Sequence, residues 1–226
     1  MTILTSPQSH TTECVILLHG LARSDCSMEK LALALDDAGY FTINTDYPST
    51  KHHIEKLAND TISQALAQCP KGTTVNFVTH SMGGILVRQY LSDHNIDNMG
   101  RVIMLAPPNK GSHVVDNLYD VPGYKFINGP AGLELGTQKI SIPNKLGSVD
   151  FELGIIAGTR SVNPLFSLML PNPDDGTVSV ESTKVDGMAD HIELPVTHTF
   201  MMNNKAVISQ VIHFLQNGTF GKVNNG

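Results

Sequence analysis

Six short apolar runs alternate with segments of helical period along this chain, and that alternation leaves few folds open. The run "CVILLH" (14–19) is almost continuously apolar, as a strand covered on both faces reads. The runs at 41–48, 73–80, 101–108, 151–159 and 191–196 are the other five predicted strands. Between them, Met28, Leu31, Leu35 and Ala38 recur at helical spacing before Gly39, and Ile54, Leu57, Ala58, Ile62, Ala65 and Leu66 form a second stripe. A third helix is predicted straight after Ser81. A last one carries Val207, Val211 and Leu215 on one face, with Asn203 or Asn204 as its cap and Gly218 as its stop. The pattern predicts an α/β fold: a three-layer α/β/α sandwich with a mainly parallel sheet of about six strands. Right-handed crossovers then bring the C-terminal strand ends to one edge, where open sheets hold their ligands. The segments 109–150 and 160–174 interrupt the alternation just after strand ends, and they are the candidate lid segments of a single domain spanning 1–226.

Composition narrows the function. A net charge of −6 spread along 226 residues argues against nucleic acid as a partner, which calls for a basic patch. No window approaches the roughly 18–20 apolar residues of a membrane span. The opening "MTILTSPQSHTTE" has neither the basic start nor the apolar run of a signal peptide. The three cysteines, Cys14, Cys26 and Cys69, are odd in number and widely spaced, fitting neither a disulfide framework nor a zinc site. Cys14 reads as a small buried hydrophobe, and a reducing, cytoplasmic setting is expected. None of the ten histidines sits in H-x-x-x-H or H-E-x-x-H spacing, so no metal and no cofactor is expected.

The chemistry centres on "VTHSMGGILVRQYL". A strand passing directly into a helix forces its middle residue into strained backbone geometry and lifts that side chain above the sheet. Small neighbours let strand and helix approach. Gly83 and Gly84 supply them on the helix side, while Thr79 stands where G-x-S-x-G has its first glycine. Ser81 is the candidate nucleophile, and its alternative is a serine in a helix-start turn. A nucleophilic serine needs a base, a carboxylate to hold the base and donors for the oxyanion. "PNPDDGTVSV" follows the fifth strand with Asp174 and Asp175, and His198 stands two residues beyond the sixth. Both therefore reach the ligand edge, in the chain order Ser, Asp, His. The oxyanion donors are the Met82 N–H and the Leu21 N–H, the latter presented where Gly20 turns the loop after the first strand.

With "LLHGLARS", "LAPPNKGS" and "AGTRSVNPL", these stretches resemble the α/β-hydrolase superfamily, in particular its small bacterial lipases and esterases, over residues 15–215. The resemblance implies the α/β-hydrolase fold and hydrolysis of carboxylic esters. It selects Asp175, the aspartate before the glycine in a pattern usually written Asn-Asp-Gly, as the acid. The adjacent pair of carboxylates would repel, so one of the two is expected to be exposed. Asn109 departs from the "PHxGS" element of the bacterial lipases.

Other polar residues have plainer readings. His19 shapes its loop or serves as a second base, and Asp46 is a rim residue or an alternative acid. His80 packs in the elbow, His191 lies at the far end of its strand, His52 and His53 lie at the surface, and His213 falls on the final helix. Arg160 and Asn163 bind substrate or fix the loop that carries Asp175. "NPLFSLML" (163–170) is a helix packed on the core or an acyl-binding wall. The expected partner is a small-molecule ester or a lipid-like substrate, with transient contact to a lipid interface as a further expectation; oligomeric state is not encoded legibly. A thioesterase or an acyl-remodelling phospholipase would use the same residues, and a non-catalytic binding module on this fold is the reading from another class.

Overall fold

The computed structural model describes residues 13–162 and 167–222. Its centre is a sheet of six parallel strands, β1 (Cys14–Leu18), β2 (Phe41–Thr45), β3 (Val75–His80), β4 (Met99–Leu105), β5 (Leu153–Gly158) and β6 (Asp190–Leu194), in the order β2-β1-β3-β4-β5-β6. Every pairing is parallel, so the sheet needs cover on both faces. Pleat and sequence supply it together. Ile16, Leu18, Phe77 and Met104 pack to one side with helices α2 (Ile54–Leu66) and α3 (Met82–Asp93). Val15, Leu17, Val78 and Ile103 pack to the other with α1 (Glu29–Asp37) and the C-terminal helix (Lys205–Asn217). Successive residues of one strand thus serve opposite layers, and the predicted sandwich stands. That last helix is capped as its sequence indicates. Asn204 Oδ1 accepts from the N–H groups of Ala206 and Val207, and Gly218 ends it at φ 74°.

The segment 109–150 is more regular than its sequence indicates. It folds as three short helices, α4 (His113–Leu118), α5 (Tyr124–Leu133) and α6 (Ile142–Lys145). A further single turn, α7 (Val180–Thr183), precedes β6, and the C-terminal helix is accordingly α8. α5 breaks at Gly129, where φ is 63° and where a Cβ would run into the carbonyl of Thr50.

The reading of the cysteines is corrected. Cys14 and Cys69 form a disulfide, with Cα atoms 5.8 Å apart, and Cys26 is free and exposed. Their 55-residue separation hides a short distance in space, because α2 returns the chain to the N-terminal end of β1. The bridge withdraws the ground for expecting a reducing compartment. Among the described residues no helix is long and apolar enough to cross a membrane.

Candidate active site

Ser81 occupies the sharp junction its sequence announces. It sits between the last residue of β3 and the first of α3 at φ 52°, ψ −121°, a conformation that L-residues other than glycine rarely adopt. Two glycines make the junction feasible. A Cβ on Gly83 would lie 2.6 Å from the Leu18 carbonyl oxygen and 3.0 Å from that of His19, so only glycine lets α3 approach β1. A Cβ on Gly20 would lie 3.1 Å from the Ser81 Cβ and 2.9 Å from His80 Nδ1, so the loop after β1 can lie against the serine only without a side chain there. Thr79, the departure from the motif, is absorbed from the helix side. A Cβ on Gly84 would stand 3.2 Å from Thr79 Oγ1 and 2.9 Å from Met104 Sδ. The glycine missing at 79 is in effect supplied at 84.

His198 and Asp175 arrive from the loops after β6 and β5. His198 Nδ1 is 2.7 Å from Asp175 Oδ2, and both side chains are buried. The other carboxylate oxygen, Oδ1, accepts the backbone N–H groups of Thr177 (3.0 Å) and Val178 (2.8 Å). The His198 N–H donates to the Asp175 carbonyl at 3.1 Å, which ties the two loops together. With the Nδ1 proton committed to Asp175, Nε2 is the basic nitrogen of the neutral ring. Ser81, His198 and Leu21 line one cavity of about 370 Å³. Its apolar side is Pro108, Val114, Val115, Leu118, Leu135 and Val178. Met82, fully buried, is the first residue of α3, a position whose N–H has no acceptor within the helix.

The expectation that Asp174 or Asp175 is exposed is corrected, since they are only 4% and 2% exposed. Asp174 turns away from its neighbour, and its Oδ1 accepts from the Gly176 N–H (2.7 Å) and from the Ser167 hydroxyl (2.8 Å). Separate backbone donors keep two adjacent carboxylates satisfied without exposing either.

His19 is structural in geometry. Its Nδ1–H donates to the Gly20 carbonyl at 2.8 Å, its Nε2 accepts from the Tyr47 N–H at 3.3 Å, and its ring stacks on Tyr47. Asp46 is exposed, 3.4 Å from His19 Nε2 and outside the Ser81 cavity. His191 bonds to Thr183, and His53 pairs with Glu134 at the surface. Arg160 is exposed beyond β5, its N–H bonded to Val196, while Asn163 and the first half of the 163–170 stretch lie outside the described residues.

His80 carries more than its sequence signals. Its Nε2–H donates to the His198 carbonyl at 3.0 Å, and its Nδ1 is buried without a partner among the described residues. Burial, then His198, hold its pKa well below 6.5, because a second ring proton would find no acceptor. Burial likewise lowers His19 and His191. All three hold a proton less readily in the fold than in the unfolded chain, which takes up protons below about pH 6.5. The stability they contribute is complete above that pH and is lost as pH falls. The midpoint of urea unfolding should therefore drop between pH 7.5 and 5.5, and His80→Gln should make the drop shallower. A midpoint that stays level over that range in the unmodified chain would contradict this.

Sequence reasoning passed over Arg88. It is 4% exposed on α3 and makes four hydrogen bonds to neutral oxygens: the carbonyls of Asn109, Pro143 and Gly147, and Asn109 Oδ1. Burial lowers its pKa to about 10, so it stays charged at neutral pH. Asn109, the departure in "PPNKGS", is thus a partner of Arg88, and its amide also donates to the Thr183 carbonyl at 2.8 Å. The signal was available: an arginine inside the apolar run "ILVRQY".

No protein-family model matches the chain. No curated protein matches it either. Solved structures do. The mature form of Bacillus licheniformis lipase BlEst2 superposes with a TM-score of 0.68 at 17% identity, covering 95% of this chain and 96% of that one. Phospholipase PlaB from Legionella pneumophila gives 0.71 at 17%, over 92% of this chain but 60% of its own. The metagenomic carboxyl esterase MGS0156 gives 0.68 at 17%, over 84% of this chain and 65% of its own. At these identities the likeness is one of fold, and the fold is that of the α/β-hydrolases.

Proposed function

We propose that the protein is a serine hydrolase that cleaves carboxylic esters through an acyl-enzyme. The observation that carries this reading is a serine at φ 52° on a strand–helix junction, lining one cavity with a histidine whose Nδ1 lies 2.7 Å from a buried aspartate. The similar structures are those of a lipase, a phospholipase and a carboxyl esterase, which supports ester chemistry.

In this reading Ser81 Oγ attacks the ester carbonyl carbon as His198 Nε2 takes its proton, and Asp175 stabilises the imidazolium. The N–H groups of Leu21 and Met82 receive the oxyanion, each contributing about 2.7–4 kcal/mol to the transition state. The carbon–oxygen bond to the alcohol then breaks, and the alkoxide leaves with the His198 proton. Water, deprotonated by His198, attacks the acyl-enzyme and releases the acid and Ser81. His80 holds the His198 main chain in place during both halves. The apolar wall formed by Val115 and Leu118 of α4 takes the hydrophobic part of the substrate, and 109–150 acts as the cover of the site.

A fluorophosphonate ester tests the nucleophile directly. Intact mass and peptide mapping should find one adduct, on Ser81, and none in His198→Ala. A folded wild-type protein that takes up no label would return Ser81 to the status of a turn residue. If labelling succeeds, a panel of esters graded by acyl length should change its profile when α4 side chains are shortened. An unchanged profile would remove that wall from the role.

A further inference from the structure

The cavity shared by Ser81 and His198 has apolar walls and, apart from its histidines and the neutral phenol of Tyr124, one side chain charged at neutral pH among the described residues that line it: Arg23. This arginine is exposed, and among the described residues no carboxylate lies within ion-pair distance of it. It stands two residues beyond Leu21, on the loop that Gly20 lets pass against the serine. Its charge reaches the site interior, where it opposes protonation of His80, after burial and His198 as larger causes. The chain as a whole carries −6, yet the charge on the wall of this cavity, among the described residues, is a cation.

An arginine whose guanidinium fork meets no carboxylate among the described residues, beside an apolar wall, suits an amphiphile with a planar or tetrahedral oxyanion at one end. We propose that Arg23 binds an anionic substituent of the substrate, a phosphate or a carboxylate, while the hydrocarbon part lies along Val115, Leu118 and Leu135. The protein is then selective for negatively charged esters over neutral ones. The proposal rests on the reading above for which bond is cut, but the binding step does not require catalysis.

The experiment uses that independence. In a Ser81→Ala background, hexyl phosphate, hexyl succinate and the neutral hexyl β-glucoside are titrated by calorimetry. At least one anionic ligand should bind, and adding Arg23→Gln should weaken it by about tenfold or more while changing the glucoside less than twofold. Arg23→Lys should restore part of the loss. Whether phosphate or succinate suffers more identifies the anion. Equal weakening of all three ligands would make Arg23 a support of the wall only. An absence of weakening, or no binding of either anion, would also overturn the proposal. A failed serine-labelling experiment would count against ester cleavage and leave this binding result standing.

Discussion

Asp175→Asn should lower kcat by about four orders of magnitude, the size of loss seen when the acid of a Ser-His-Asp triad is made neutral, with the fold kept. The reason lies in the acceptor arrangement. Asp175 uses Oδ1 for two backbone N–H groups, from Thr177 and Val178, and Oδ2 for His198. Asparagine has one acceptor oxygen, and the two fixed backbone donors claim it. Its NH₂ must then face His198 Nδ1, which has to accept, so the ring proton moves to Nε2. That is the wrong tautomer for a base. Asp174→Asn is the control, because its Oδ1 accepts from Gly176 and Ser167, and an asparagine oxygen reproduces both bonds. Its kcat should change no more than a few-fold. Steady-state turnover of a chromogenic ester, with melting curves for both variants, decides the matter. Equal losses at 174 and 175 would remove Asp175 from the triad.

The second large effect concerns stability. Reducing the Cys14–Cys69 bridge should cost about 4 kcal/mol on the chain-entropy model, because it frees a loop closed over 55 residues in the unfolded state. For a chain of this size that is a fall in Tm of roughly 10 °C. The native contacts lose little, since Cys14 stays buried in β1 between its partners β2 and β3. Most of the change should therefore appear as a less constrained unfolded state. Thermal melts with and without reductant, with thiols counted by mass, give the number. A Cys14→Ala/Cys69→Ala variant should reproduce the reduced protein. An unshifted Tm with all thiols free would show that the bridge adds nothing.

The sheet was legible because burial on both faces leaves an unusual mark, near-continuous apolar runs separated by helical stripes. The candidate site was legible because its members stand at strand ends, where order along the chain maps to position along the sheet edge. What stayed hidden depends on contacts between residues far apart in sequence. Thr79 is tolerated through Gly84 and Met104, a compensation that no local motif expresses. Cys14 and Cys69 look unlinkable at their spacing until α2 folds back. Exposure of one of two adjacent carboxylates seemed required by repulsion, yet separate backbone donors satisfy both. The helices of 109–150 are short, and Gly129 with Pro130 breaks the pattern of the longest.

Arg88 has a consequence for how such a protein can diversify. It stands on the helix that begins at Ser81 and grips the chain near both roots of the 109–150 segment, chiefly through main-chain carbonyls. A carbonyl is present whatever the residue, so the anchor tolerates sequence drift between its attachment points. The segment behaves as a cassette with defined seams, at 109 on one side and at 143–147 on the other. Exchange of the chain between those seams would alter what lines the cavity while the junction at Ser81 keeps its geometry.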